Sequence, residues 1–220
     1  MTQELQEDLL PLFPLPVVLY PDMHLPLHVF EARYREMIGF CLETATEFGV
    51  TLAREESIAS VGCSAAVLKV VKEHPNGEFD ILSVGVRRFE IEEVVNEKAY
   101  LQAFVRYIED SPSTEAGETS DIIDAKIDEI FAILGVLVRR ADAVEKLRKE
   151  VDMGRGCASY IIADKMGFDL EDRQRILELC SELERLDTIL EILARASETV
   201  ARRSRPGEMT SGANGKHKHA

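Results

Sequence analysis

Two histidines, His24 and His28, stand four positions apart in the segment HLPLH. On a helix that spacing presents both imidazoles to one metal ion. Pro26 lies between them and obstructs a helix, and an extended chain separates them by roughly 13 Å, too far to share an ion. No Glu intervenes, so the HExxH protease pattern is absent and both rings are read as structural or surface groups. His217 and His219 near the C-terminus could bind stray metal weakly and carry no functional meaning. The run Gly212-Ala213-Asn214-Gly215-Lys216-His217 is a poor phosphate loop. Its glycine spacing is short, His217 replaces the hydroxyl residue, and no helical pattern follows. Cys41, Cys63, Cys157 and Cys180 form no CxxC pair and read as reduced thiols packed as small hydrophobes. There is no GxSxG elbow and no Ser–Lys pair in a convincing setting. No catalytic residue, cofactor or metal site is therefore expected.

The elements around these residues fall into two halves. Residues 10–110 hold short runs rich in Val, Ile, Phe and Tyr: Ala65–Lys72, Phe79–Val86, Phe89–Val95 and Tyr100–Ile108. Such runs suit a pleated, half-buried surface. Asn76-Gly77 between the first two predicts a hairpin, because both residues adopt positive φ at low cost. Regular strand spacing predicts a closed or nearly closed antiparallel barrel. Within it, Tyr34, Met37, Ile38, Cys41, Leu42 and Ala45 recur at helical steps and predict a helix over 31–46, packed across one mouth. Residues 111–120, rich in Ser, Thr, Pro and Gly, read as a linker.

Beyond it the period becomes helical. Ile123, Ile127, Ile130, Leu134, Leu137, Ala141 and Val144 keep one face apolar for about six turns. Gly154-Arg155-Gly156 interrupts the pattern, and a helix over 157–166 is expected to end at a left-handed Gly167. Asp169 caps the next helix and Ser181 with Glu184 has capping-box spacing for a fourth. Four helices over 121–204 make a bundle, and the apolar-poor stretch 205–220 reads as a disordered tail.

The chain has 220 residues, 45% apolar, with a net charge of −14. It is long enough to bury a core without disulfides or metals. Residues 1–110 carry 9 basic against 19 acidic side chains, a net of −10, which argues against nucleic acid as a partner. No secretory leader or membrane span is read, so a cytoplasmic location is expected.

The run Leu10–Tyr34, LPLFPLPVVLYPDMHLPLHVFEARY, resembles the opening of the N-terminal (LAN, or substrate-binding) domain of the Lon ATP-dependent proteases, close to LPLFPLxxxVLFPGxxLPLHIFExRY. Matching segments follow in order: FGVTLA at 48–53, VGCSAAVLKV at 61–70, GEFDILSVGVRRFEI at 77–91, YLQAFVRYIED at 100–110, and the helical stretch 159–193. Asp22 stands where the pattern has glycine, and Ala32 where proline is frequent. The resemblance implies an α+β fold: a PUA-like antiparallel β pseudo-barrel over 9–110 with an inserted helix, followed by a helical bundle.

The phosphate loop and Ser–Lys dyad of a complete Lon protease are not found in the 220 residues. The chain therefore reads as a stand-alone, non-catalytic domain that binds unfolded or exposed polypeptide, as an adaptor or regulator of proteolysis or protein quality control. An ATP-dependent protease is an expected partner. Candidate contacts are Leu25, His28, Phe30, Arg33, Tyr34, Arg88 and Phe89, although core packing is the stronger expectation for Phe30, Tyr34 and Phe89. PUA-like barrels include RNA binders, so an RNA or small-molecule binder is the second reading. A part in an ATP-dependent peptidase system rests on family naming alone.

Overall fold

Asn76-Gly77 forms the expected hairpin turn, with Gly77 and not Asn76 at positive φ. Gly77 has φ 78°, and the His74 and Glu78 backbones close the loop through a 2.9 Å hydrogen bond. This turn joins the two longest strands of a computed structural model that describes residues 8–111 and 116–203. The order is β1 (Asp8–Leu15), β2 (His24–Val29), α1 (Ala32–Thr44), β3 (Phe48–Ala53), β4 (Ile58–Glu73), β5 (Phe79–Val95) and β6 (Gln102–Ile108). There follow α2 (Ala116–Leu137), α3 (Ala141–Met153), a 3-10 turn (Arg155–Cys157), α4 (Ala158–Lys165), α5 (Leu170–Glu178) and α6 (Glu182–Arg203).

The sheet runs β2-β5-β4-β3-β1-β6, and β5 also pairs with β6. The ring β1-β3-β4-β5-β6 is thus closed, while β2 is appended outside it. Two features depart from a simple antiparallel barrel. First, β1 and β3 are parallel, with Leu12 opposite Gly49 and Leu15 opposite Leu52. Second, β5 is one continuous strand whose two ends take different neighbours. Its first half pairs with β2 and its second half with β6. The sheet therefore splits at the middle of β5, leaving the β4–β5 hairpin and β2 as an open three-stranded extension.

The ring interior is filled by Leu10, Leu12, Phe89, Ala103 and Val105. Phe89 is fully buried. Room for its ring comes from Gly49 and Gly62, where a Cβ would fall 2.7 and 2.6 Å from Phe89 Cζ. A larger core is continuous from strand residues such as Phe48, Val50 and Ile81, through α1, to helical residues such as Ile130, Leu134, Ile162 and Leu193. The sheet and the helices thus share one apolar interior, so neither buries its own face alone.

The helical half differs from the sequence reading in three places. The expected linker is already helical from Ala116; residues 112–115, like the tail over 205–220, lie outside the described residues. The six-turn face is two helices, broken between Leu137 and Ala141. Gly167 is not left-handed; α4 ends at an extended Met166. The Asp169 cap is as expected, its carboxylate accepting from the Asp172 N–H at 2.8 Å.

Candidate binding surface

The seven sequence-derived candidates separate by burial. Phe89 is 0% exposed, Arg88 3% and Tyr34 7%. Arg88 sits where β5 is paired on both edges, opposite Cys63 of β4 and Ile108 of β6. Its guanidinium donates to the Leu177 and Leu179 carbonyls at 2.9 and 2.6 Å and to Asp110 Oδ1 at 2.5 Å. Arg185, 1% exposed, donates to the same carboxylate and carbonyl, to Glu182 and to Ser159 Oγ. This network ties β5 to α5 and α6. Tyr34 stacks on Phe13 at 4.1 Å between ring centroids, and burial pushes its hydroxyl pKa up. Arg88, Phe89 and Tyr34 hold the fold and are not available to a partner in this conformation.

The other four differ. Leu25 and Leu27 of β2 are half-buried and pack on the core from the inner face of the extension. Arg33 pairs with Glu31 at 2.9 Å and lies over the Tyr34 ring. Phe30, for which core packing is the stronger sequence expectation, is 59% exposed at the end of β2. His28 is exposed and faces outward beside Asp80, its partner in register on β5.

Phe30 and His28 belong to the open extension β2–β5–β4. Among the described residues β2 pairs with β5 alone, and β4 beyond Ala65 pairs with β5 alone. Both outer strands therefore present unpaired backbone N–H and C=O groups. Pro26, which has no N–H, is tolerated in β2 because that strand is an edge. On β4 the register shifts between Val67 and Lys69 and again between Val70 and Lys72. Leu68 and Val71 are the extra residues of these bulges, and bulging turns them outward to 52% and 61% exposure. Val70, Lys69 and Lys72 are exposed beside them. Bulges and lysines are the features that keep an open edge from unselective pairing, and Phe30, Leu68 and Val71 are exposed apolar side chains of this extension.

The same end carries a polar cluster that no sequence spacing revealed. His28 Nδ1 lies 2.7 Å from Asp80 Oδ1, and His74 Nε2 lies 2.8 Å from Asp80 Oδ2. Glu78 Oε2 is 3.4 Å from His28 Nε2. Hydrogen bonds from His28 and His74 hold the Asp80 carboxyl below its ordinary pKa. The partner of His28 is thus His74, across the hairpin, and not its sequence neighbour His24. His28, His74 and Asp80 are placed to offer ligand atoms to one ion, all within 4.8 Å of one another.

Elsewhere, a groove of about 530 Å³ in the bundle is lined by residues of α2, α3 and the end of α4, including Leu134, Val144 and Met166. No helix among the described residues is long and apolar enough to cross a membrane.

Comparison with known proteins adds the family context. The family described as the ATP-dependent protease La (LON) substrate-binding domain matches residues 9–195. Lon protease of Geobacter metallireducens is 30% identical over 203 residues, covering 87% of this chain and 24% of its own length. Lon protease of Brevibacillus choshinensis is 27% identical over 210 residues, again covering 87% of this chain and 25% of its own. The chain thus spans about a quarter of the length of the curated relatives it matches. Two solved structures share the fold. A Lon N-terminal domain protein from Xanthomonas campestris gives a TM-score of 0.60 at 23% identity, covering 84% of this chain and 98% of that one. The N-terminal domain of a Mycobacterium avium complex Lon protease gives 0.63 at 18% identity, covering 85% and 98%.

Proposed function

The chain belongs to the ATP-dependent protease La (LON) substrate-binding domain family, and on that premise we propose that it captures unfolded or exposed polypeptide segments without catalysing a reaction. The observation that carries this reading is the open end of the sheet, with two outer strands free to accept a partner's backbone beside Phe30, Leu68 and Val71. Backbone pairing supplies affinity independent of sequence, and apolar side chains supply a preference for segments that folded proteins hide. The two bulges interrupt any long ladder on β4, so capture there is short and reversible. Such a surface suits a module that hands clients onward, as an adaptor or regulator of an ATP-dependent protease in the cytoplasm.

A fluorescently labelled, permanently unfolded polypeptide, titrated with the purified chain in the absence of ATP, tests this reading. Saturable binding that a natively folded protein does not compete for is the expected result. Absence of binding across several unfolded polypeptides would refute it. RNA is disfavoured by the net −10 over residues 1–110, and retention of RNA above moderate salt would reverse that ranking.

A further inference from the structure

We infer that His28, His74 and Asp80 form a binding site for a divalent transition ion of the zinc class, which clamps β2 to the β4–β5 hairpin. The cluster is built by strand register and turn geometry. His28 and Asp80 are directly opposed across β2 and β5. His74 is the first residue of the hairpin turn, fixed by the His74 N–H to Glu78 carbonyl bond and the Gly77 N–H to His74 carbonyl bond, each 2.9 Å. The two imidazoles stand edge to face with centroids 5.6 Å apart at 84°, and each meets a different oxygen of one carboxylate.

In this geometry Asp80 is bridged to both rings, with the ligand atoms of all three residues within 4.8 Å. A tetrahedral zinc site at about 2.0–2.1 Å per bond needs ligand atoms about 3.3 Å apart. To hold the ion the His–Asp distances of 2.7 and 2.8 Å must open, while any ligand pair near the 4.8 Å limit must close. With His28 bound through Nδ1, its Nε2–H faces Glu78 Oε2 at 3.4 Å. A carboxylate behind a ligating imidazole is the arrangement that fixes the tautomer and raises ligand basicity. Asp80 and Glu78 together neutralise a doubly charged ion. Water completes the coordination, because His28, His74 and Asp80 keep 49, 22 and 36% of their side-chain surface. Two imidazoles select zinc, cobalt, nickel or copper over magnesium and calcium, which prefer all-oxygen sites. The inference is independent of polypeptide capture, since it concerns how the hairpin tip is held.

The test is calorimetric titration of Zn²⁺ into the full chain carrying His217→Ala and His219→Ala, so that the C-terminal histidines do not contribute. One ion per chain is expected. His74→Gln and Asp80→Asn should each weaken it at least tenfold and Glu78→Gln about tenfold, while His24→Gln leaves it unchanged. Co²⁺ substituted at the site should give a visible spectrum without a thiolate charge-transfer band. The amide spectrum of each variant confirms that it is folded. The inference is overturned if the parent shows no saturable binding at micromolar ion, if folded His74→Gln and Asp80→Asn chains bind as tightly as the parent, or if the cobalt spectrum reports cysteine.

Discussion

Replacing Arg185 by Met tests how the helices are held on the sheet. The guanidinium is 1% exposed and serves Asp110, Glu182, Ser159 Oγ and the Leu179 carbonyl while lying 4.4 Å over the Tyr160 ring. Removing one partner of a buried ion pair generally costs about 3–5 kcal/mol. Here the low end applies. Asp110 is 44% exposed and keeps Arg88 at 2.5 Å, the Leu179 carbonyl keeps Arg88 at 2.6 Å, and Glu182 keeps the Ser159 N–H and hydroxyl. We expect a loss of about 3 kcal/mol for Arg185→Met and a similar loss for Arg88→Met, which strands the Leu177 carbonyl. The two arginines back each other up at Asp110 and Leu179. The double variant should therefore exceed the sum of the singles by about 1 kcal/mol, a total of about 7 kcal/mol that falls within the whole stability range of a typical domain, about 5–15 kcal/mol. Urea denaturation followed by far-ultraviolet circular dichroism measures this; the chain has no tryptophan. Single losses below about 1 kcal/mol, the worth of an exposed pair, or strict additivity would refute the reasoning.

Two further outcomes follow from backbone and burial. Asp22 has φ 64°, with its N–H donating to the Gly85 carbonyl at 2.9 Å, so Asp22→Gly should be more stable than Asp22→Ala by about 1 kcal/mol in urea denaturation; equal stabilities would contradict it. Burial pushes the Cys63 thiol up to about 12 and raises Cys41 as well. Both should resist alkylation in the folded chain as pH rises past 9, the reference thiol value, and stability should fall over that range because the unfolded thiols ionise first. Mass-spectrometric mapping that finds Cys63 alkylated in the folded chain as readily as in urea would oppose this.

The sequence carried the local features well. The Asn76-Gly77 turn, the apolar stripe of α1 and the Asp169 cap all depend on neighbouring residues, and each formed where its chemistry indicated. The departures are non-local. Parallel pairing of β1 with β3 is set by how the ring closes, and nothing within either strand specifies it. The α2–α3 break is hidden in the sequence because Leu137, Ala141 and Val144 preserve helical spacing across it and residues 138–140 hold no Gly or Pro; Gly135, in the last turn of α2, is the one local signal near it. Arg88 is internal because the end of α5 lies on its side of β5, where it bonds the Leu177 and Leu179 carbonyls, whereas its neighbour Arg87 is exposed; Phe30 is external because it lies just past the end of edge strand β2. The histidine cluster joins β2 to a hairpin far along the chain, so nothing within HLPLH could point to His74 or Asp80.

The most direct test of polypeptide capture at the open sheet end compares the parent with a Phe30→Ser, Leu68→Ser, Val71→Ser chain in titrations of one labelled unfolded polypeptide. These side chains are 59, 52 and 61% exposed, so their replacement should shift the urea midpoint little. Each apolar side chain that a partner covers contributes on the order of 1 kcal/mol, so the triple variant should bind at least tenfold more weakly. Unchanged affinity in a folded triple variant, or loss of binding on altering exposed Val136 and Met153 of the bundle instead, would contradict the account.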